Sequence, residues 1–566
     1  MPAINKIKKE ITAYRTSSVN LYEGVTFSAP KLLRRIGLYK SQTYPRGKLD
    51  SQGNYKYWYD IITPRVGSEI KNIDFDTKDI VLYSDSLNDN MRVIVANAGL
   101  REYMDSSGQA AKLNSAVEQG TEWGNVIWKK TEKDYRVLEL DKVMVLNQTA
   151  KTLKSSDVIE EECLTVSEIR KVEAWTNKDE LIKTFKEDET DSSPEFYIYE
   201  RNGEISEKEF YAIKESEGGK GKKNASSDKY LLAKIVVGGV EKDSPTTVLF
   251  CEEIKEMPYR EYHRSSFSGR WLRVGLYEQL MDIQTRANEI GNQIARGLEW
   301  ASKTIFKSGD KIIAQNIITD LQSGDIVKSK DLSQVDVRMQ GLDQLIADWN
   351  RLMVLADQIS NSYEVVTGGQ LPSATPFRLG LLQNTNANKL FDFIREKLCI
   401  AFESVIKDWV LDEAMKDIKA KDVIRLSQDD DSLKSYYKSV IDSWYLENLL
   451  SLQPHSAEDA AKVKEAKLNE MMLSPETLVK LEKSMWEGFK PRLKVTITGE
   501  NYNLATDLET LQTFISLETS PTRRTALIEM AMAKKGMDIS SLPKDEPQAQ
   551  QVQQATPTPL SGTISS

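Results

Sequence analysis

The chain offers few residues of the kind that do chemistry, and their spacing argues against most uses. Only two histidines occur in 566 residues, His263 within Tyr262-His263-Arg264 and His455 after Pro454. A zinc site of the HExxH type or a Ser-His-Asp triad would have to draw on these two alone. A surface or packed histidine is the simpler reading of both. Acidic runs at Asp429-Asp430-Asp431 and Glu161-Glu162 could be taken for magnesium ligands of a nuclease. A metal site needs carboxylates converging from separate elements, whereas consecutive side chains point in different directions. The aspartate run before Ser432 reads instead as a lead into a helix, where acidic groups favour the exposed N–H groups. Gly-Lys pairs in the polar stretch 215–229 invite comparison with a phosphate loop, but Asn224 follows the lysines and no apolar helix begins there. Cys163, Cys251 and Cys399 form no CxxC, so neither a disulfide framework nor a thiolate metal site is expected. No catalytic residue, metal ligand or cofactor site is assigned.

Composition narrows the classes further. The chain is 40% hydrophobic and 28% charged, enough to bury a core, and its net charge is −9. A protein that grips nucleic acid over a broad face carries a basic excess; here DNA contact is expected to be local, or the DNA slides. The basic tract Lys31-Leu32-Leu33-Arg34-Arg35 is most simply a solvated helix face. Residues 1–15 are polar and no apolar run approaches about 18 residues, so a soluble protein made in a cytoplasm, without a leader or a membrane span, is the expectation.

The elements that would position any site follow from periodicity. Residues 1–245 read as mixed α and β, with strands at Ile80-Val81-Leu82-Tyr83 and Phe196-Tyr197-Ile198-Tyr199, helices over 92–119 and 179–187, and a turn at Gly53-Asn54. One long helical segment is predicted from Phe267 to Lys303, with Tyr277, Leu280, Ala287, Ile290, Ile294, Leu298 and Ala301 in a narrow apolar stripe. Roughly 35 residues would span about 50 Å, and so narrow a stripe calls for neighbours on the flanks. A short β-like stretch follows at 304–340, including Thr304-Ile305-Phe306 and Gly324-Asp325-Ile326-Val327. A second helix is predicted over 341–363 and a third over 378–418, separated by the breaker-rich Thr367-Gly368-Gly369-Gln370-Leu371-Pro372-Ser373-Ala374-Thr375-Pro376. Beyond 420, helices are predicted over 432–451, 456–472, 475–488, 503–516 and 521–535, with one strand at Arg492-Leu493-Lys494-Val495-Thr496-Ile497. Residues 541–566 are rich in Gln, Pro, Thr and Ser and are expected to be disordered.

The order of long helix, small β insert, helix, Gly/Pro loop and long helix resembles the portal, or head-to-tail connector, proteins of tailed bacteriophages. Gly269-Arg270-Trp271-Leu272 with Gly275, running into Asp282-Ile283-Gln284-Thr285-Arg286-Ala287-Asn288, is similar to the stretch where such chains enter their stem. Gly324-Asp325-Ile326-Val327 is similar to the strand leaving the family's clip, and Thr367-Gly368-Gly369 through Ser373-Ala374-Thr375 to its tunnel-loop junction.

The resemblance implies an α+β, predominantly helical subunit. Residues 1–255 would form the N-terminal part of a wing, 256–303 a lead-in and first stem helix, 304–340 the clip and 341–364 the second stem helix. Residues 365–377 would form the tunnel loop, 378–455 wing helices, 456–540 a wing strand and crown helices, and 541–566 the tail. It implies a non-enzymatic homo-oligomer, a ring of twelve at one capsid vertex of a virion assembled in the host cytoplasm. Double-stranded DNA would pass through it, with the major capsid protein around it and terminase, then tail or adaptor proteins, on the clip. No membrane partner and no cofactor are implied. Thr367, Gly368, Gly369, Gln370, Pro372, Ser373 and Pro376 would line the channel. The glycines permit φ > 0 and the prolines stiffen the chain, so this loop could project without belonging to a sheet. Arg378 and Lys389 would lie near DNA, although salt bridges on their own helix explain them equally well. Lys307, Lys311, Asp320, Lys328 and Lys330 would meet terminase or an adaptor. Twelve copies at −9 each sum to −108, which disfavours tight DNA binding and suits a conduit. The alternatives are another virion adaptor or scaffolding protein, and, less well supported, a metal-dependent nuclease.

Overall fold

In the computed structural model the first helix, α1 (Pro2–Thr16), sets Ile4, Ile7, Ile11 and Tyr14 on one buried stripe. Their spacing of three and four residues is that of a single helix face. The structure describes residues 2–42, 55–84, 89–132, 134–184, 195–218, 226–302, 341–362 and 377–421, with shorter pieces (49, 305–307, 333–335, 423–425 and parts of 436–495). All fall within one compact unit, Met1–Thr496. The Gly53-Asn54 turn, the helices expected over 503–516 and 521–535 and the 541–566 tail lie outside the described residues, as does 219–225 of the polar stretch.

A hairpin of β1 (Val19–Tyr22) and β2 (Val25–Phe27) leads into α2 (Ala29–Lys40), which has proline in its first turn, where a missing N–H costs nothing. Leu33, Ile36 and Tyr39 of α2 are buried while Lys31, Arg34 and Arg35 face outward, as read from the sequence. After α3 (Ile62–Ile73) comes β3 (Ile80–Tyr83), at the expected position. The stretch expected as one helix over 92–119 is two, α4 (Asn90–Ser106) and α5 (Gln109–Trp123). Gly108 between them adopts φ +65, a left-handed conformation that interrupts the helical hydrogen bonding.

Strands β4 (Asn125–Lys130), β5 (Tyr135–Val137) and β6 (Val143–Val145) follow, then β7 (Val158–Thr165). Two short helices, α6 (Val166–Lys171) and α7 (Lys178–Lys183), precede β8 (Glu195–Ser206), which contains the predicted Phe196–Tyr199. Thr165 and Glu168 form a capping box that starts α6. Helix α8 (Glu207–Glu217) ends at Gly218, φ +99, and leads through the polar stretch to β9 (Tyr230–Gly239), β10 (Thr247–Glu253) and β11 (Tyr259–His263).

These strands make an antiparallel five-stranded sheet, β10-β9-β8-β7-β6, and a three-stranded one, β11-β4-β5. On β10, side chains occupy edge groups: Thr176 and Asn177 reach the carbonyls of Leu249 and Val248, and Glu217 accepts the N–H of Cys251. Such capping hinders further strand addition there. Arg201, 1% exposed, ties α1 to the sheet through Glu10 at 2.8 Å and Asp157 at 2.6 Å.

Helix α9 (Leu276–Ser302) begins nine residues later than predicted from Phe267, for a reason given below. The pair β12 (Ile305–Lys307) and β13 (Ser333–Val335) separates it from α10 (Leu342–Ser360). Then α11 (Phe377–Val405) continues through a π turn, Ile406–Val410, into α12 (Leu411–Ala420). Phe391, Ile394, Leu398, Phe402, Val405 and Ile406 are buried along this third long helix. Its extent matches the predicted 378–418, but the extra residue of the π turn was not foreseen.

Strand β14 (Val423–Arg425), helical residues at 436–438, 440–442 and 444–445 within the predicted 432–451, helix α13 (Ala457–Met472), β15 (Leu478–Lys480) and β16 (Arg492–Val495) follow. The helix expected over 475–488 is corrected at Leu478–Lys480, which pairs antiparallel with β14; Leu-Val is as good a strand former as a helix former, and a waiting edge decides it. Strand β16 pairs with β3, joining segments about 400 residues apart. The molecule is therefore α+β, with helix predominating. No described helix is long and apolar enough to cross a membrane.

Candidate functional site

The residues joining β11 to α9 explain why the helix starts late. Gly124, φ +83, and Gly275 lie backbone to backbone: a Cβ on Gly124 would stand 2.6 Å from the Gly275 nitrogen. This close approach holds 265–275 as a non-helical lead-in rather than a helical turn. Asn125 accepts the Arg273 N–H at 2.7 Å, and Trp271 donates its backbone N–H to Gln148 and its indole N–H to Glu261. Arg270 reaches forward to Glu278 in the first turn of α9 at 2.6 Å, and its guanidinium covers the Phe27 ring at 4.6 Å. Arg273 is buried beside Phe267, with carbonyls of Arg270 and Lys151 as acceptors; burial lowers its pKa, which Glu261 opposes. His263 sits here too, half-buried at the end of β11 between Asn125 of β4 at 3.0 Å and Glu261 of its own strand at 3.2 Å.

Helix α9 then leaves the core along its length. Tyr277, Leu280, Ala287 and Ile290 of the predicted stripe are buried, whereas Leu298 is 53% exposed. At about 1.5 Å per residue its 27 residues span about 40 Å, shorter than expected. Burial pushes the Tyr277 phenol up to about 12.

The buried half carries a feature that pattern reading missed. Gln284, Asn288 and Asn292 form a ladder of amides against residues 57–62, the chain that leads into the start of α3. Asn292 accepts the Tyr57 N–H at 2.8 Å and donates to its carbonyl at 3.0 Å. Asn288 accepts the Tyr59 N–H at 2.7 Å, and Gln284 accepts those of Ile61 and Ile62 at 2.8 and 3.2 Å while donating to the Tyr59 carbonyl. Four helical residues advance about 6 Å, and two strand residues about 6.6 Å. The two repeats nearly coincide, and the extra methylene of Gln284 absorbs the accumulated difference at one end. Between the amides, Gly291 admits Tyr59 and Trp349 of α10, whose rings meet edge-on at 5.2 Å. A Cβ on Gly291 would lie 2.6 Å from Tyr59 and 2.7 Å from Trp349. The available signal was amide residues at four-residue spacing on an otherwise buried face.

Helices α9 and α10 pack against one another, and α10 is bound to α3 through Arg65, which reaches Asp357 and the Met353 carbonyl. The other side of α10 is open: Ile346, Val354 and Leu355 are exposed, as are Leu390, Phe393 and Ile400 on α11. Large apolar groups in rows on helices are the composition of a face awaiting a protein partner.

Of the residues predicted to act, Thr367, Gly368, Gly369, Gln370, Pro372, Ser373 and Pro376 lie outside the described residues, as do Lys311, Asp320, Lys328 and Lys330. Lys307 ends β12 and Arg378 lies in the first turn of α11, with side chains outside the description. Lys389 is exposed on α11, one residue before Leu390. Glu161 and Glu162 alternate along β7, and each is engaged by an arginine, Arg15 and Arg136 respectively. Asp429-Asp430-Asp431 and His455 are outside the described residues. Cys163 is exposed, Cys251 and Cys399 are buried, and burial pushes both buried thiols up to about 12. Among the described residues no group of His, Cys, Asp and Glu is placed to hold a metal. No family model matches the chain, and no curated protein matches it.

Proposed function

We propose that this chain is the portal subunit of a tailed bacteriophage, a ring-forming channel for genome packaging and ejection. The observation that supports the reading best is the α9–β12/β13–α10 unit: two helices joined through a short strand pair and leaving the core together. The long helix α11 follows, and among the described residues Ile346, Val354 and Leu355 of α10 and Leu390 and Ile400 of α11 are left exposed. A ring supplies cover for them, because each copy meets its neighbours through two different faces. In this reading α9 and α10 are the stem, residues 304–340 the clip that meets terminase and later tail or adaptor proteins, and 365–377 the tunnel loop. The acidic balance of the chain suits DNA that must slide.

Particle mass tests the proposal directly. Twelve copies of a 64.2 kDa chain weigh about 770 kDa, and negative-stain images should show rings with a central hole. A chain that stays monomeric with capsid and scaffolding partners present would sink the reading. Replacing Val354 and Ile400 together by aspartate should prevent ring formation while leaving the subunit folded. Shortening 367–376 should leave rings intact and impair DNA packaging or retention; unchanged packaging would remove the channel role of that loop.

A further inference from the structure

A cleft of about 820 Å³ lies between α2, α5 and the chain that runs from β5 into the turn at Leu140–Lys142. Its volume falls in the range of about 300–1,000 Å³ typical of ligand sites. One wall is a face of α5, from Ala111 through Ser115 to Glu122; the opposite wall includes Arg136, Val137 and Leu138. Two properties of these walls point to one kind of occupant.

The first is a strand edge. β5 is the terminal strand of its sheet. Leu138 donates its N–H to Ile127 across the β4–β5 register, and Thr131 donates to Asp134, so residues 134, 136 and 138 face β4. By the alternation of an antiparallel ladder, the N–H and C=O of Val137 point away from it. Val137 is only partly buried and lines the cleft, and its N–H and C=O have no hydrogen-bond partner among the described residues. The second is charge. The cations of the cleft are already committed: Lys40 to Glu122 at 2.6 Å, Arg136 to Glu160 at 2.8 Å and to Glu162, and Lys112 to Asp134. Glu118 and Asp141 are exposed on opposite walls and make no ion pair among the described residues. Glu139, also exposed, pairs among the described residues only with Lys142 of its own turn.

We propose that this cleft docks an extended, basic segment of a partner protein. Its backbone pairs with Val137, and a Lys or Arg side chain lies between Glu118 and Asp141. Backbone pairing supplies the affinity and the carboxylates supply the preference, the division of labour seen in strand addition. The inference does not depend on ring assembly and holds for a single subunit.

Fluorescence anisotropy with the full chain and a labelled, short alternating valine–lysine peptide tests it. The matching valine–glutamate peptide, and the lysine peptide N-methylated at alternate residues, serve as controls. The lysine peptide should bind, the glutamate peptide should not, and N-methylation should weaken binding at least about tenfold. The double variant Glu118→Lys with Asp141→Lys changes only exposed side chains and should also weaken it about tenfold or more. No binding of the lysine peptide at millimolar concentration would overturn the proposal. So would equal binding of its N-methylated form, or full affinity in the charge-reversed variant.

Discussion

Two regions of this protein solve the same problem, joining one element firmly to another, by different physics. Where residues 57–62 meet α9, neutral amides grip a backbone. Where the three-stranded sheet meets the five-stranded one, charges grip charges. Lys129 on β4 is 5% exposed and binds Glu160 of β7 and Glu200 of β8, each at 2.8 Å. Arg136 adds a second cation to Glu160, while Tyr259 and Asn202 fill the remaining hydrogen-bonding positions. The amide ladder recognises spacing and is indifferent to pH and salt. The ionic joint tolerates small displacements but fails if one charge is removed, because the others stay buried.

The largest effect should come from breaking the ionic joint. Lys129→Met strands Glu160 and Glu200 without their shared cation and should cost about 3–5 kcal/mol in urea unfolding. A loss under 1 kcal/mol would mean that Arg136 and Lys234 already suffice. The pH dependence separates the two joints next. Burial alone would raise the Glu200 carboxyl, but Lys129, Lys234 and the hydrogen bonds from Lys129 and Asn202 hold it down at about 2. Because the folded value lies below the ordinary one near 4.5, its contribution is present above that pH and lost as pH falls from about 4.5 towards 2. The stability lost over that window should be on the order of 3 kcal/mol, and Glu200→Gln should flatten it. Asn288→Leu should leave that acid limb unchanged, a contrast that unfolding curves at two pH values would expose.

Within the ladder, Gly291→Ala should destabilise by about 1–3 kcal/mol, since the new methyl meets Tyr59 and Trp349 at once. Pairing it with Trp349→Leu should recover part of the loss; no recovery would place the clash elsewhere. Asn288→Leu should cost somewhat less, about 1–2 kcal/mol, by leaving the Tyr59 N–H and C=O without their amide partner. The same substitution at Asn292, whose bonds to Tyr57 are exposed, should have the smallest effect because water replaces the lost amide. Equal losses at 288 and 292 would contradict the assignment of burial as the deciding factor.

Much of this was legible from local pattern. The strands at Ile80–Tyr83 and Arg492–Val495, the helices α10, α11 and α13 and the outward face of Lys31, Arg34 and Arg35 follow from periodicities of two and 3.6 that a single segment displays by itself. The late start of α9 did not follow, because it depends on Gly124 and Gly275 touching across 151 positions of sequence. The amide ladder was hidden for a similar reason: Gln284, Asn288 and Asn292 look like solvated polar residues until the partner chain 57–62 is seen. The division of 92–119 rested on one glycine whose left-handed φ no periodicity reveals.

The amino-acid order by itself determined elements such as β3, α10, α11 and α13 and the outward face of α2, because those preferences arise within a few residues of one another. It determined as well that histidine-based and thiolate-based chemistry has little to work with. Tertiary structure alone decided that β3 pairs with β16, that Lys129 neutralises two glutamates from separate strands, and that the terminal strand β5 lies beside Glu118 and Asp141, which make no ion pair among the described residues. Pairings of that kind depend on distances in space between residues far apart in the chain, and no local preference encodes them.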